Sequence, residues 1–180
     1  MTPKTDRRTQ RTQRALLDAL TTLMAQKRIN RISVKEIADL ADVNRSTFYL
    51  YYSDVYDMLA KVETEILEDL RTAALALSRT PTRAEVQAFF AFLFHFIEEH
   101  AELAKVLLAP EGDSAFIGRI KDAVLEVRIP LVRSPSERYA RYFFPFVVTG
   151  CVGVIQEWLT EGRTAPPSEM AALMMQLVVD

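Results

Sequence analysis

The side chains best suited to chemistry lie close together, between Arg45 and Tyr51. This stretch offers one guanidinium group and four hydroxyl groups, those of Ser46, Thr47, Tyr49 and Tyr51. Such groups can donate hydrogen bonds to base edges and to phosphate oxygens. The chemistry that they indicate is recognition of a nucleic acid through hydrogen bonds.

Two short helices joined by a turn are predicted to position these groups. The first begins at Ser33, because Ser33 followed three residues later by Glu36 is typical of a capping box. Apolar residues then recur at helical spacing, at Val34, Ile37, Ala38 and Ala41. The turn follows at residues 42–44, since Asp and Asn tolerate left-handed backbone angles and Asn caps helices well.

The second helix is predicted over Arg45–Tyr52, with Phe48 and Tyr52 on its inner face. Leu50 and the polar side chains lie off that face. A helix-turn-helix presents its second helix to a DNA groove in this way. The pattern alone is as consistent with an ordinary helical hairpin inside an all-α core.

The residues from Ile37 to Tyr52 read Ile-Ala-x-x-Ala-x-Val-x-x-x-Thr-Phe-Tyr-x-x-Tyr. This pattern resembles the recognition motif of the TetR family of bacterial transcriptional regulators. The family usually has Gly where Asp42 stands, a change that the left-handed tolerance of Asp can absorb. It usually has Lys, often a phosphate contact, where Val55 stands. The second departure concerns affinity for DNA rather than the fold.

The resemblance implies an all-α fold with two domains. Residues 1–54 would form an N-terminal three-helix helix-turn-helix domain that binds DNA. Residues 55–180 would form a larger helical domain for ligand binding and dimerisation. Arg45 and Ser46 would face base edges, and the other hydroxyl groups would hold phosphates. The predicted DNA-binding residues are Ser33, Lys35, Asn44, Arg45, Ser46, Thr47, Tyr49, Leu50 and Tyr51.

The charge of the chain is divided unevenly, although its net value is only −2. Residues 1–52 have a net charge of +5, whereas the rest of the chain has a net charge of −7. A basic head on an acidic body is typical of a phosphate-binding domain joined to a separate regulatory domain. A solvated basic tail without a binding role would give the same division.

The first part of the chain contains one further predicted helix. Residues 1–8 are polar and predict a disordered arm. Residues 9–26 predict a helix whose apolar face would pack on Ile37, Phe48 and Tyr52. The three helices would then share one small core.

The second part of the chain is rich in aromatic residues, and Thr82 with Glu85 predicts a second capping box where its first aromatic helix begins. All-α domains of this composition often enclose an apolar ligand pocket, and the resemblance also implies one, for a small apolar or aromatic effector. A tightly packed core would need the same residues. The predicted pocket residues are Phe89, Phe92, Phe96, Phe116, Tyr139, Tyr142, Phe143 and Phe146.

Two small residues three apart, Gly150 and Gly153, would let another helix approach closely. The resemblance implies that two helices from each of two chains form a dimer interface, and a dimer would read both halves of a palindromic operator. Packing within one chain is the alternative. The predicted interface residues are Gly150, Gly153, Val154, Trp158, Met170, Leu173, Met174 and Leu177.

Little in the sequence points to a cofactor, a metal or catalysis. His95 and His100 would lie on different sides of a helix, without a Cys or carboxylate at metal-ligand spacing. The single Cys151 and the polar, basic N-terminus favour a reducing cytoplasm. The longest uncharged apolar run, residues 142–155, is short for a membrane span. We therefore expect no cofactor, no metal, no enzymatic activity and no membrane partner.

The leading hypothesis is a cytoplasmic, homodimeric, sequence-specific DNA-binding regulator, and more specifically a ligand-responsive repressor. The alternative is a protein that keeps the helix-turn-helix fold but acts as a coactivator or protein-interaction module with weak or no DNA binding. Val55 and the acidic second part of the chain leave room for that alternative. Salt dependence distinguishes the two, because phosphate contacts release counterions.

Overall fold

The computed structural model describes residues 4–78, 80–109, 114–127 and 137–179. Within these ranges the chain consists of α-helices and two single-turn 3-10 helices, without a β-strand, so the predicted all-α fold class is confirmed. The α-helices are α1 (Lys4–Met24), α2 (Val34–Leu40), α3 (Arg45–Phe48), α4 (Val55–Leu75), α5 (Arg83–Glu99), α6 (Ala101–Leu107), α7 (Ser114–Val127), α8 (Ala140–Thr160) and α9 (Pro167–Val178).

The chain divides into two compact units, Met1–Thr64 and Glu65–Asp180. The sequence placed the division earlier, after residue 54. The structure places it within α4, because Val55 and Met58 at the start of this helix are buried in the core of the first unit. The first turns of α4 thus complete the helix-turn-helix unit.

Helix α1 begins earlier than predicted. Residues 4–8, expected to belong to a disordered arm, are helical, and residues 1–3 lie outside the described part of the chain. The prediction relied on apolar periodicity, which residues 4–8 lack, whereas Lys, Arg and Gln are good helix formers without it. Further along α1, Leu16 and Leu20 are fully buried in one core with Ile37 and Phe48, as predicted.

In the second unit, α5 starts with the predicted capping box, because Thr82 accepts a hydrogen bond from the Glu85 amide and Glu85 accepts one from the Thr82 amide. The ring of Phe94 on α5 meets that of Trp158 on α8 edge to face, with centroids 5.1 Å apart. The Trp158 indole donates to the Ala165 carbonyl at 2.8 Å, which holds the link between α8 and α9.

Helix α8 is the most apolar helix of the second unit. By length and composition alone, its segment Arg141–Thr160 could cross a membrane, with a mean hydropathy of 1.4. The core helix of a soluble protein passes the same test. Val152, Ile155 and Trp158 are buried within the unit, which gives this helix a core-facing side.

Candidate nucleic-acid interface and apolar cavity

The start of α2 is held by the predicted capping box. The Ser33 hydroxyl accepts from the Glu36 amide at 3.3 Å, and Glu36 accepts from the Ser33 amide at 3.0 Å. The Lys27 ammonium also donates to the Glu36 carboxylate. Several interactions lower the pKa of Glu36 from 4.5 to about 2. The hydrogen bond from Lys27 is the largest of these causes, and the hydrogen bonds from Ser33 follow. The carboxylate therefore stays ionised at neutral pH and ties the preceding loop to α2.

The turn between α2 and α3 has the geometry predicted for it. Asp42 has a φ of 53°, in the left-handed region where the family resemblance leads one to expect Gly. The Val43 amide donates to the Ala38 carbonyl at 3.0 Å, which closes the turn against α2. Asn44 then caps α3, because its side-chain oxygen accepts from the Ser46 amide at 2.9 Å.

Helix α3 is shorter than the predicted Arg45–Tyr52. It ends at Phe48, and beyond it the chain tightens, since the Leu50 amide donates to the Thr47 carbonyl three residues back. The Lys61 ammonium of α4 donates to the Tyr51 carbonyl at 2.9 Å. A contact with the next helix thus satisfies a carbonyl at the end of the recognition segment, residues 45–52.

The recognition segment has one buried side and one exposed side, as predicted. Phe48 is fully buried and Tyr52 is 8% exposed, and their ring centroids lie 5.5 Å apart. On the other side, Tyr49 is 58% and Leu50 is 77% exposed. Arg45 and Ser46 are also exposed, whereas Thr47 and Tyr51 are half-buried. The inner aromatic pair anchors the segment so that its outer side chains are presented to solvent.

Four of the predicted DNA contacts are already engaged within the protein, and one of them is Ser46, whose hydroxyl donates to the Asn44 side-chain oxygen at 2.9 Å. The hydroxyl of Ser33 and the side-chain oxygen of Asn44 serve the caps of α2 and α3. Lys35 is exposed and lies 3.9 Å from Asp39, one helical turn on. Of these four, Lys35 is the side chain best placed to exchange its partner for a phosphate, because an exposed ion pair adds little stability.

Val55, the position at which the family usually has Lys, is 5% exposed and lies in the core. Val55 therefore stabilises the core as a buried apolar side chain and supplies no charge to a phosphate.

Lys61, which was not predicted from the sequence, lies over the Tyr52 ring at 5.5 Å and binds Asp57 at 3.0 Å. In the sequence, the spacing of four residues between Asp57 and Lys61 was the signal that could have predicted this ion pair, and with it the role of Lys61 in holding the end of the recognition segment.

The second unit contains a partly open apolar cavity of about 160 Å³. Phe89, Phe96 and Phe116, predicted as pocket residues, line it together with residues of α4, α6, α7, α8 and α9. Phe92 lies outside, in an open groove beside the C-terminal half of α4, and its ring stacks on that of Phe96 with centroids 6.0 Å apart. The prediction thus identified part of the aromatic wall.

The other predicted pocket residues lie elsewhere. Tyr139, Tyr142 and Phe146 are 52%, 61% and 74% exposed and do not line the cavity, and neither does the half-buried Phe143. The reason is helical phase: Tyr142 and Phe146 are one turn apart on the side of α8 away from the buried Val148 and Val152. The sequence showed aromatic density but not which face the cavity would take.

The residues predicted for a dimer interface separate into two groups. Trp158, Met170 and Met174 are buried inside the chain and belong to its own core, contrary to the prediction. The other residues are exposed or half-buried, and among the described residues an added Cβ at either glycine would meet nothing within 4 Å beyond its chain neighbours and the adjoining backbone of its own helix. The residues of this second group are Gly150, Gly153, Val154, Leu173 and Leu177.

Within the described residues, no group of three or more His, Cys, Asp or Glu side chains is arranged to hold a metal ion. Cys151 lines the cavity, and burial raises the pKa of its thiol to about 11. The thiol is therefore protonated at neutral pH and behaves as a small apolar group.

The chain has a capped helix-turn-helix with an exposed recognition segment, followed by a helical unit with an apolar cavity. This arrangement is typical of the class of helix-turn-helix regulators. The family model for bacterial regulatory proteins of the tetR family matches residues 16–62. A second model, for a transcriptional regulator C-terminal region of that family, matches residues 84–180. The chain belongs to the TetR family of bacterial regulatory proteins, and the part of it that the N-terminal family model matches lies in the first unit.

Individual relatives agree with this assignment. An uncharacterized HTH-type transcriptional regulator of Bacillus subtilis, YxbF, is 28% identical over 168 residues. That match covers 89% of this chain but 43% of the relative, so the chain spans less than half of its length.

Solved structures show the same fold. A TetR transcriptional regulator from Streptococcus agalactiae is 21% identical, with a TM-score of 0.64 and coverage of 97% of each chain. The regulator FadR from Bacillus subtilis, in complex with stearoyl-CoA, is 14% identical, with a TM-score of 0.64 and coverage of 92% of this chain and 97% of that one.

Proposed function

We propose that this chain acts in the cytoplasm as a homodimeric repressor that binds a palindromic DNA operator and leaves it when a small apolar effector fills the cavity. The observation that supports DNA reading best is the recognition segment, whose Phe48 and Tyr52 are buried while Arg45, Tyr49 and Leu50 face solvent. An anchored, outward segment is what entry into a major groove requires.

The charge of the chain supports the same proposal. The net charge of +5 over residues 1–52 is the field that attracts phosphates, and it coincides with the recognition segment. Within this field, Arg45 can donate two hydrogen bonds to a guanine and Tyr49 can donate one to a phosphate oxygen.

Two exposed helix faces support the dimer. On α8, Tyr142, Phe146, Gly150 and Gly153 follow one another at intervals of four, four and three residues and form one stripe. The large side chains of this stripe are 61% and 74% exposed, and the glycines leave room for a helix to approach. On α9, Leu177 is 62% exposed. An exposed apolar stripe of this kind marks an interaction site.

The effector part of the proposal rests on the apolar cavity of the second unit. The FadR structure, which has the same fold, is a complex with stearoyl-CoA, so a protein of this fold can hold a small-molecule ligand. Helix α4 supplies Met58 to the core of the first unit and Leu70 to the lining of the cavity, so one helix has residues in both. A ligand that binds the two states of this helix unequally would change operator affinity.

DNA binding is tested by mobility shift on a duplex chosen by in-vitro selection from random sequences, at several salt concentrations. We expect a steep loss of affinity with salt, because each neutralised phosphate releases counterions. Arg45→Ala should lose about 1–3 kcal/mol of discrimination at one base position. Lys105→Ala, which removes an exposed charge in the other unit, is the matched control and should change neither property.

The dimer is tested by analytical ultracentrifugation. Phe146→Glu places a charge in the α8 stripe and should yield a monomer that no longer binds the full operator. Phe92→Glu, at a 41% exposed residue of the groove beside α4, is the matched control and should remain dimeric. A wild-type chain that sediments as a monomer at every concentration tested would contradict this part of the proposal.

A further inference from the structure

The cavity of the second unit is small and apolar. Its volume of about 160 Å³ is close to that of the roughly 150 Å³ protein cavities that stay dry and accept benzene or xenon. Its walls include Phe90, Leu107, Phe116 and Ile155, all of which are at least 94% buried. An apolar cavity of this size favours a compact ligand, because a long acyl chain has several times as many carbon atoms as benzene.

Among the described lining residues, the polar side chains do not supply a charged anchor inside the cavity. The Cys151 thiol is protonated at neutral pH. His100 presents its ring to Phe96, with ring centroids 4.9 Å apart. Arg71 is an exposed residue, and because the walls are almost wholly apolar it lines the cavity with its aliphatic stem. A charged ligand group would therefore lose its hydration without a charged partner.

Phe89 and Phe96 line both the cavity and the open groove beside α4. Their half-buried rings form a shared wall between the two spaces. A flat, rigid molecule of one ring needs a smaller opening in such a wall than a larger ligand does.

We infer that the ligand of this cavity is a neutral molecule with a single aromatic ring, of the size of benzene or a simple substituted benzene. The inference rests on the proposed function, since it names the chemical class of the effector. It commits to compact aromatic ligands and excludes long-chain fatty acids and their thioesters as occupants of this cavity.

The test is a fluorine NMR titration of fluorobenzene into the full chain, competed with benzene and, separately, with stearate. Wild type should bind fluorobenzene saturably at one site, with competition by benzene and not by stearate. Ala104→Leu and Ala123→Leu each fill the cavity and should weaken binding at least tenfold. Ala84→Leu, an exposed position on α5 outside the lining, should bind like wild type.

Two filling variants are used because one could fail to fold, which circular dichroism would reveal. The inference is overturned if wild type shows no saturable binding, if a folded filling variant binds as tightly as Ala84→Leu, or if stearate displaces fluorobenzene. DNA binding of the same samples, measured without ligand, separates this result from the proposed function. Operator binding without fluorobenzene binding overturns the cavity inference alone. Fluorobenzene binding without operator binding overturns the proposed DNA-binding function alone.

Discussion

The rings of Phe48 and Tyr49 meet edge to face with centroids 5.7 Å apart, although one side chain is fully buried and the other is 58% exposed. Edge-to-face pairs of this kind contribute about 0.5–1.5 kcal/mol beyond the burial of their area. The core of the first unit therefore supports directly the more exposed tyrosine of the recognition segment. The buried Phe48 ring is thus a packing partner of the exposed ring that carries the Tyr49 hydroxyl.

Tyr49→Phe removes that hydroxyl and keeps the ring contact. We expect weaker binding to all DNA sequences alike, by about 1.5 kcal/mol or roughly tenfold, because a hydrogen bond to a charged phosphate is lost. Mobility shifts on the selected duplex and on an unrelated duplex measure the effect. Tyr56→Phe, at a 56% exposed tyrosine of α4, is the control. A loss confined to the selected duplex would show that Tyr49 reads a base instead.

Leu50, with 77% exposure, is placed to contact the methyl group of a thymine in the major groove. Replacing that thymine by deoxyuridine should weaken wild-type binding about fourfold, since roughly 0.8 kcal/mol is gained per buried methylene-sized group. Leu50→Ala should be indifferent to the same replacement. Leu40→Ala, at a 52% exposed leucine of α2, should respond like wild type. Equal sensitivity of the Leu50 variant would place the methyl contact elsewhere.

Asp42 occupies a left-handed conformation, with a φ of 53°, that costs an ordinary L-residue about 1–2 kcal/mol. Asp42→Ala should lower the free energy of unfolding by about 1 kcal/mol, because alanine lacks the local hydrogen bonding by which Asp tolerates this region. Asp42→Gly should stay within about 0.5 kcal/mol of wild type, since relief of strain offsets the entropy of glycine. Urea unfolding measures both, with Asp39→Ala on α2 as the control at an ordinary helical residue. Equal effects at the two aspartates would contradict a conformational cause.

The lowered pKa of Glu36, about 2 instead of 4.5, makes the stability of the helix-turn-helix depend on acid pH. A carboxyl group with a lower pKa in the folded chain stabilises it above pH 4.5, and this contribution is lost as the pH falls towards 2. Glu36→Gln should therefore be less stable than wild type at pH 7, with the difference shrinking between pH 4.5 and pH 2. Denaturant unfolding at pH 7 and pH 3 measures it.

Lys27→Met provides the matched control for this prediction, because the Lys27 ammonium is the first cause of the shift. It should reduce the pH dependence while leaving the capping box with Ser33 in place. If the difference in unfolding free energy between wild type and Glu36→Gln were the same at pH 7 and pH 3, the assignment would be contradicted.

Features that depend on a few neighbouring residues were predictable from the sequence. Both capping boxes, at Ser33 with Glu36 and at Thr82 with Glu85, form as predicted because their hydrogen bonds join groups three residues apart. The buried side of the recognition segment was also predictable, since Phe48 and Tyr52 share one helical face.

The end of α3 was not predictable in the same way. The sequence continues in helical register to Tyr52, but the chain tightens after Phe48, where Lys61 of α4 satisfies the Tyr51 carbonyl. The donor of this hydrogen bond is Lys61, which lies ten residues after Tyr51, on the next helix. Local spacing does not contain that information.

The amino-acid sequence by itself indicated which segments are helical, the two capping boxes and the charge division, because these follow from periodicity, from short-range hydrogen bonds and from composition. Only the tertiary structure decided which apolar faces are covered. Trp158 is buried against Phe94, whereas Phe146 on the same helix is exposed. Both are large aromatic residues, and what distinguishes them is the presence of a packing helix on one side of α8.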